Sequence, residues 1–450
     1  MVTDTIVAQC TPCGNGALAL LRISGPQALA VASACALLSH KKTILEVPSH
    51  TINHGWVVGS NAEKLDEVLF LVMHAPRTFT GENTVEITCH NNQFLIQTLI
   101  DRIVACGARP AINGEFSRQA VENNKLDLLQ AEAINDLIHA QSEQGLRQAF
   151  AQVQGTLSSW VQSIEQELII LTALCEATFE FIEEKLDLTE TILERFDTVL
   201  SKIATIKQSF SHQNHLRSGI RITLIGTVNA GKSSLFNALI GKNRAIVTAI
   251  PGTTRDVIEA GFYYQGLYWT LIDTAGIRQT HDCIEQEGIE KSYQEAAQAD
   301  IVLLVFDGST PLNQEQKEIY QDLYARYADH AFIVATKKDL PAHHSLTYDI
   351  AVSAQTQTGI PELKQLLEDK INNLMARNKC PFLLNKRHIA SLETLETQLL
   401  IIRNQIEKSP DYEIVSYQLN DAIALLTELT GKTVSERSLD AVFKEFCVGK

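Results

Sequence analysis

The chain has 450 residues, 45% of them hydrophobic and 20% charged, with a formal net charge of −15. That size fits about two to four domains, each with its own core. With that acidic balance a general phosphate-binding surface is not evident, so contact with nucleic acid needs a local basic patch or a partner. No apolar run is long enough to span a bilayer, and the start of the chain lacks a basic segment followed by an apolar core. The nine cysteines are scattered and odd in number, which argues against a disulfide framework. The expectation is a cytosolic protein. Cys10-Thr-Pro-Cys13 has C-x-x-C spacing, but no second pair or nearby histidine completes a zinc site.

Residues 1–118 mix strand-like and helical runs and predict an α+β domain. Thr5–Ala8, Gly16–Ile23, Glu67–Met73 and Thr84–Thr88 read as strands. Pro26–Leu38 and Phe94–Cys106 read as helices. Residues 119–216 are helical, with apolar positions at helical spacing through Leu126, Leu129, Ala133 and Leu137, then Leu168, Leu171 and Leu174. Gly155 is the expected break, and residues 211–219 are a polar linker.

Residues 217–378 alternate strand and helix patterns, which predicts a mostly parallel sheet covered on both faces. Residues 379–450 return to helix, over Arg387–Glu407, Tyr412–Leu429 and Val434–Phe446. Helical patterns on both sides of the α/β segment predict that they pack together, with the α/β domain inserted between them. The expected fold is therefore multidomain.

Within the α/β segment, Gly226-Thr-Val-Asn-Ala-Gly231-Lys232-Ser233 follows an apolar strand and opens a helix, fitting G-x-x-x-x-G-K-[ST]. Asn229, Ala230, Gly231, Lys232, Ser233 and Ser234 are the expected phosphate cradle. Lys232 would reach the outer phosphates, and Ser233 would hold Mg²⁺. Four further stretches follow in the order of a guanine-nucleotide switch. The first is Thr248, Ala249, Ile250, Pro251, Gly252, Thr253 and Thr254. Thr253 or, by preference, Thr254 would complete the Mg²⁺ shell and sense the γ-phosphate. The second is Asp273, Thr274, Ala275 and Gly276, in which Asp273 would hold Mg²⁺ through water. The third is Thr336, Lys337, Lys338 and Asp339. An Asp339 carboxylate accepts two N–H bonds from guanine, a pair that adenine cannot offer. Thr336 stands where Asn is usual, and its single hydroxyl predicts a weaker base or loop-bracing contact. The fourth is Ser353 and Ala354, whose backbone would face the guanine oxygen. The reading is GTP binding.

The residue after Asp273-Thr-Ala-Gly276 is Ile277, where many GTPases carry a water-orienting Gln. The orienting group must therefore come from elsewhere, and Glu285 is the candidate, as against a solvated carboxylate at a helix start. Positive charge for the transition state could come from Arg255, or from a monovalent cation held by Asn229 and the 248–253 loop.

The sequence resembles the MnmE (TrmE) tRNA-modification GTPases over essentially its whole length. The resemblance rests on Asp4-Thr-Ile-Val-Ala-Gln9, Leu21-Arg-Ile-Ser-Gly25, Phe79-Thr-Gly-Glu82, Gly114-Glu-Phe-Ser117, Asn124–Ala133, the nucleotide motifs and Phe446-Cys-Val-Gly-Lys450. It implies a homodimer formed through the N-terminal domains. It also implies GTPase domains that pair on GTP and K⁺, with the K⁺ held by Asn229, Thr248, Ile250 and Thr253. Ser233 and Thr254 would then be the Mg²⁺ ligands and Glu285 the water-orienting carboxylate. The N-terminal domain would be a folate-binding fold for 5-formyl- or 5,10-methylene-tetrahydrofolate, contacted by Arg22, Glu86, Lys125 and Lys450. Cys447 would lie near the folate, as a reactive thiol or a small buried side chain. With an MnmG-like flavoprotein, such proteins add an aminomethyl or carboxymethylaminomethyl group to the wobble uridine of certain tRNAs. A ribosome-assembly or scaffolding GTPase sharing only the switch domain is the competing reading. It predicts an RNA-binding module, whereas the C-terminal segment reads as helices without a clamp loop. Two departures from the family pattern accompany Thr336: His90-Asn91-Asn92 in place of His-Gly-Gly, and Thr227-Val228 in place of Arg-Pro. The first predicts a reshaped turn.

Overall fold

The computed structural model describes residues 4–12, 14, 16–180, 188–208, 210, 219–241, 258–273, 294–343, 346–376, 381–408, 411–433, 436–444 and 446–449. The chain forms two compact units. One comprises Met1–Asn135, Phe150–Ala204 and Asn385–Lys450; the other comprises Asp136–Ala149 and Thr205–Leu384.

In the first unit, the N-terminal portion is a seven-stranded sheet of order β3-β4-β5-β6-β2-β1-β7. Its strands are β1 (Ile6–Gln9), β2 (Leu18–Ser24), β3 (Ala36–Leu38), β4 (Thr51–Val58), β5 (Lys64–Met73), β6 (Thr84–His90) and β7 (Arg109–Pro110). Alternate residues of β2, β5 and β6 are buried beneath helices Ala28–Cys35 and Gln93–Ala105, the period-2 signature of a sheet with one covered face. Asn92 caps the second helix, accepting from the N–H groups of Phe94 and Leu95.

The helix expected over Pro26–Leu38 ends at Cys35, because Ala36 turns extended and Ala36–Leu38 pairs with β4. β4 itself went unread, since Asn53, His54 and Gly55 interrupt its apolar pattern.

The remainder of the unit is helical. Helix Thr156–Glu180 packs against Tyr412–Thr430, which also packs against Lys386–Lys408. The helices that precede and follow the α/β segment in sequence thus share one core. Gly155, at φ +91°, separates helix Glu143–Val153 from Thr156–Glu180, the expected break. Glu132 pins the two helical segments together. Its buried carboxylate accepts hydrogen bonds from Asn385 Nδ2 (2.9 Å), Arg387 Nε and Nη2 (2.9 and 2.6 Å), and pairs with His388 Nε2 (2.7 Å). Burial works to raise its pKa, but His388 and Arg387 overcome that and hold the carboxyl far below the ordinary range.

The second unit is built on a six-stranded sheet of order β13-β12-β11-β8-β10-β9. The strands are β8 (Ile220–Ile225), β9 (Ile258–Tyr264), β10 (Leu267–Asp273), β11 (Ile301–Asp307), β12 (Ala331–Thr336) and β13 (Ile350–Ala351). All neighbours are parallel except the β9–β10 edge pair. Every residue of β11 is buried, as a strand covered on both faces requires. Parallel strands end at one edge, so the C-terminal ends of β8, β10, β12 and β13 gather there. The expected nucleotide motifs follow those strands in the sequence.

Candidate functional site

The loop after β8 turns sharply into helix Lys232–Ile240. A Cβ on Gly226 would come within 2.0 Å of the Val305 carbonyl oxygen of neighbouring β11, so only glycine lets the loop leave the sheet there. Asn229 (φ +62°) and Gly231 (φ +87°) are both left-handed. The turn brings the helix N-terminus, with its unpaired N–H groups, to the loop mouth, an arrangement suited to an anion. Tyr320, buried under the loop, donates to the Val305 carbonyl (2.6 Å) and accepts from Thr227 N–H (3.0 Å), bracing the loop's first residues.

Lys232 is nearly buried, and its ammonium donates to the carbonyls of Gly226 (3.0 Å) and Thr227 (3.1 Å). Burial lowers its pKa, opposed by Asp273. Ser233 Oγ donates to Asp273 Oδ2 at 2.7 Å, while Asp273 Oδ1 is buried without a hydrogen-bond partner among the described residues. A buried carboxylate oxygen left orphaned beside a hydroxyl suits a hard cation that takes oxygen ligands. Ser233 and Asp273 therefore fit Mg²⁺, which would neutralise phosphate charge there. Ala230 is buried, and Ser234 stands exposed in the helix's first turn.

Thr336 reaches the phosphate loop through its single hydroxyl. Its hydroxyl lies 2.6 Å from the Ala230 carbonyl and 3.0 Å from that of Phe306. One proton serves one carbonyl at a time, and the shorter contact ties β12 to the phosphate loop. Lys337, at φ +58°, reaches Asp307 Oδ2 at 2.6 Å. Burial tends to raise the Asp307 carboxyl, but the bonds from Lys337 and Ser309 outweigh it and hold the carboxyl below its ordinary value. Asp339 is exposed at the same edge, and Ser353 is fully buried with Ala354 beside it. The Lys338 N–H donates to the Val352 carbonyl (3.1 Å), so the loops after β12 and β13 are joined. Thr248, Ala249, Ile250, Pro251, Gly252, Thr253, Thr254, Arg255, Thr274, Ala275, Gly276, Ile277 and Glu285 lie outside the described residues, as does Lys450.

A second group of predicted residues meets in the first unit. Arg22 on β2 faces Glu86 on β6 in register, and its Nε and Nη2 both lie 2.8 Å from Glu86 Oε1. The Arg22 guanidinium also sits 5.5 Å from the ring centroids of Phe79 and Phe116, within cation–π range. Lys125 donates to the Pro76 carbonyl (3.1 Å), on the same loop as Phe79. The Cys447 carbonyl accepts from Gly114 N–H (3.3 Å), Val448 bridges Asn113, and Gly449 lies so close to Gln9 that a Cβ there would come within 2.4 Å of its carbonyl oxygen. The tail therefore runs beside β1 and the start of helix Glu115–Glu122. The Cys447 side chain is exposed, not the small buried residue that was one reading of it. In the turn at His90, Asn91 Nδ2 donates to the Gly14 carbonyl (2.8 Å) and Asn92 serves as helix cap, so both asparagines have structural work.

Sequence reasoning passed over Phe79 and Phe116, although both lie inside stretches that carried the family resemblance. It also missed Tyr320, and no local signal marks a tyrosine ninety-odd residues downstream as a brace for the glycine loop.

A parallel sheet whose switch-side edge carries a glycine loop, a buried lysine and a serine–aspartate pair defines a P-loop GTPase domain. Residues 128–447 match the family described as MnmE helical domain, and residues 5–125 match that described as GTP-binding protein TrmE N-terminus. The chain is 36% identical to the tRNA modification GTPase MnmE of Lachnoclostridium phytofermentans, covering 100% of both chains. It is 37% identical to that of Chlamydia abortus, covering 99% of each. Among solved structures, the G domain of the Thermotoga maritima FeoB iron transporter is 27% identical, covering 34% of this chain and 98% of that one, with a TM-score of 0.27. The chain belongs to the MnmE family of tRNA modification GTPases, and it is a GTP hydrolase. Among the described residues, no helix is long and apolar enough to cross a membrane.

Proposed function

We propose that this protein is a K⁺-activated GTPase that, as a cytoplasmic homodimer with an MnmG-like flavoprotein, installs an aminomethyl or carboxymethylaminomethyl group at C5 of the wobble uridine of certain tRNAs. The observation that carries the reading is the coexistence, in one chain, of the phosphate loop with an N-terminal domain onto which the Cys447–Gly449 tail folds. A switch protein without a second chemistry has no need of that tail. Full-length similarity to tRNA modification GTPases supports the tRNA part of the reading.

In this reading the nucleotide site holds GTP through residues 229–234, 248–254, 273–276, 336–339 and 353–354. Lys232 and the helix N-terminus meet the phosphates, Ser233 and Thr254 hold Mg²⁺, and Asp339 selects guanine. Asn229, Thr248, Ile250 and Thr253 hold the K⁺ that replaces an arginine finger, and Glu285 orients water in place of the missing Gln. In the N-terminal domain a one-carbon tetrahydrofolate supplies the carbon unit. The residues fit such a group: Glu86 offers a half-buried carboxylate for N–H donors, Phe79 an exposed ring, and Lys125 a cation. Arg22 pairs with Glu86 and fixes its orientation, and Lys450 completes the set.

Mass analysis of wobble nucleosides in cells lacking the protein tests the reading; unchanged tRNA would overturn it. GTP hydrolysis should rise strongly when K⁺ replaces Na⁺, and equal rates in the two salts would remove the cation finger. Glu285→Ala should lower kcat far more than nucleotide affinity.

A further inference from the structure

Three buried polar side chains accompany the group around Arg22, and each shares an element with one of its members. Ser24 follows Arg22 by two residues on β2, which puts both on one face of the sheet. Thr80 follows Phe79 in the 76–82 loop. Gln119 follows Phe116 by three residues on helix Glu115–Glu122, so the two are neighbours on the helix surface. Ser24 and Thr80 are fully buried and Gln119 nearly so. Ser24 Oγ lies 2.8 Å from Thr80 Oγ1 and donates to Gln119 Oε1 at 3.0 Å. The single Ser24 proton goes to Gln119, so Thr80 is the donor in the other contact. Thr80 Oγ1 accepts in turn from the Glu82 N–H (3.2 Å). The hydrogen bonds therefore run in one direction, from the loop backbone through Thr80 and Ser24 to the helix.

Further contacts hold the loop to the same helix. Asn123, at the helix C-cap, donates from Nδ2 to the Thr80 carbonyl (2.8 Å) and to Glu82 Oε1 (3.2 Å). A Cβ on Gly81 (φ +80°) would come within 2.9 Å of Asn123 Cβ, so the loop backbone lies directly on that turn.

We propose that Ser24, through Thr80 and Gln119, is a positioning residue for the one-carbon folate: it fixes Phe79 and Phe116 about the Arg22–Glu86 pair. The role rests on the folate reading of this site. Arg22 meets the two rings by cation–π contact at 5.5 Å, an attraction that acts out to about 6 Å and tolerates displacement. Hydrogen bonds weaken steeply once bent, so the Ser24 network supplies the directional restraint. Phe116 is fully buried while Phe79 is 36% exposed, so Phe79 is the ring of the two that a ligand can reach. Without the Ser24 hydroxyl, Thr80 loses its tie to the helix and the loop no longer holds Phe79 in place. A tie that served only the stability of the domain would leave folate affinity unchanged.

The full-length protein is titrated with 5-formyltetrahydrofolate by calorimetry. Ser24→Ala should bind about tenfold more weakly than wild type, with an unchanged far-ultraviolet circular dichroism spectrum. Thr80→Val keeps the side-chain shape and loses the hydroxyl, and should weaken binding to a similar degree. Thr80→Ser keeps the hydroxyl and should bind as wild type. In a Phe79→Ala background, Ser24→Ala should cause no further loss, because its effect runs through that ring. Wild-type affinity in Ser24→Ala or Thr80→Val, or losses that add in the double variant, would overturn the positioning role and leave the folate reading standing. Wild-type protein that binds no 5-formyltetrahydrofolate would overturn the folate reading, and the positioning role with it.

Discussion

The two sites of this protein are built in opposite ways. The phosphate site comes largely from one contiguous turn, residues 226–233, with a strand before it and a helix after it. The group around Arg22 is assembled from β2, β6, the 76–82 loop, helix Glu115–Glu122 and the C-terminal tail, which is more than three hundred residues away. A contiguous site carries its geometry in local backbone preferences: positive φ at Asn229 and Gly231, close approach at Gly226, helix start at Lys232. A discontinuous site exists only when the sheet register is right, because a shift of one residue on β6 would turn Glu86 away from Arg22.

Substitutions can break this contrast, and the largest effect is expected at the contiguous site. Lys232→Ala removes the buried ammonium and should lower GTP hydrolysis by about 10²-fold or more, while tRNA-independent folding of the first unit, followed by circular dichroism, stays intact. Arg22→Ala should do the reverse. It leaves the Glu86 carboxylate without its partner and uncovers Phe79 and Phe116, so tRNA modification should fall about tenfold or more, with the GTPase rate of the purified protein unchanged. If both activities fall together in Arg22→Ala, the two sites are not separable.

Glu132 sharpens the comparison, because it lies in neither site. Glu132→Gln leaves Arg387 and His388 without their carboxylate and should cost about 3–5 kcal/mol, read as a lower denaturation midpoint. The folded-state pKa of Glu132 lies below its reference of 4.5, so the carboxylate's contribution is present above that value. It is lost as pH falls toward the folded pKa. Wild-type stability should therefore drop below about pH 4.5 more steeply than that of Glu132→Gln. Parallel curves would show that the pair contributes nothing net. The smallest effect is expected at Thr336→Ala, which removes one hydroxyl from the Ala230 carbonyl. A loss of about 1 kcal/mol, roughly fivefold in GTP affinity, is expected from nucleotide titration, with Thr336→Asn close to wild type.

Sequence reading went furthest where chemistry and backbone preference coincide. The glycine loop, Asp273 and the 336–339 run were legible because each needs particular residue types in a particular order. Arg22 and Glu86 were legible only through family resemblance, since an arginine and a glutamate sixty-four residues apart are unremarkable until β2 and β6 pair. β4 was lost because Asn53 and Gly55 on its covered face, and His54 on its open face, break the apolar pattern of a half-buried strand.

The sequence by itself determined the nucleotide class, the alternation of α/β and helical segments, and the absence of the usual glutamine after the aspartate loop. These depend on residue identity and short-range spacing, which the chain carries whether folded or not. Only the tertiary structure decided that Thr336 still braces the phosphate loop and that Arg22 is held between Glu86 and two aromatic rings. It alone decided, too, that Glu132 ties the helices on either side of the inserted domain. Each of these is a contact between distant segments, and its geometry is set by sheet register and core packing.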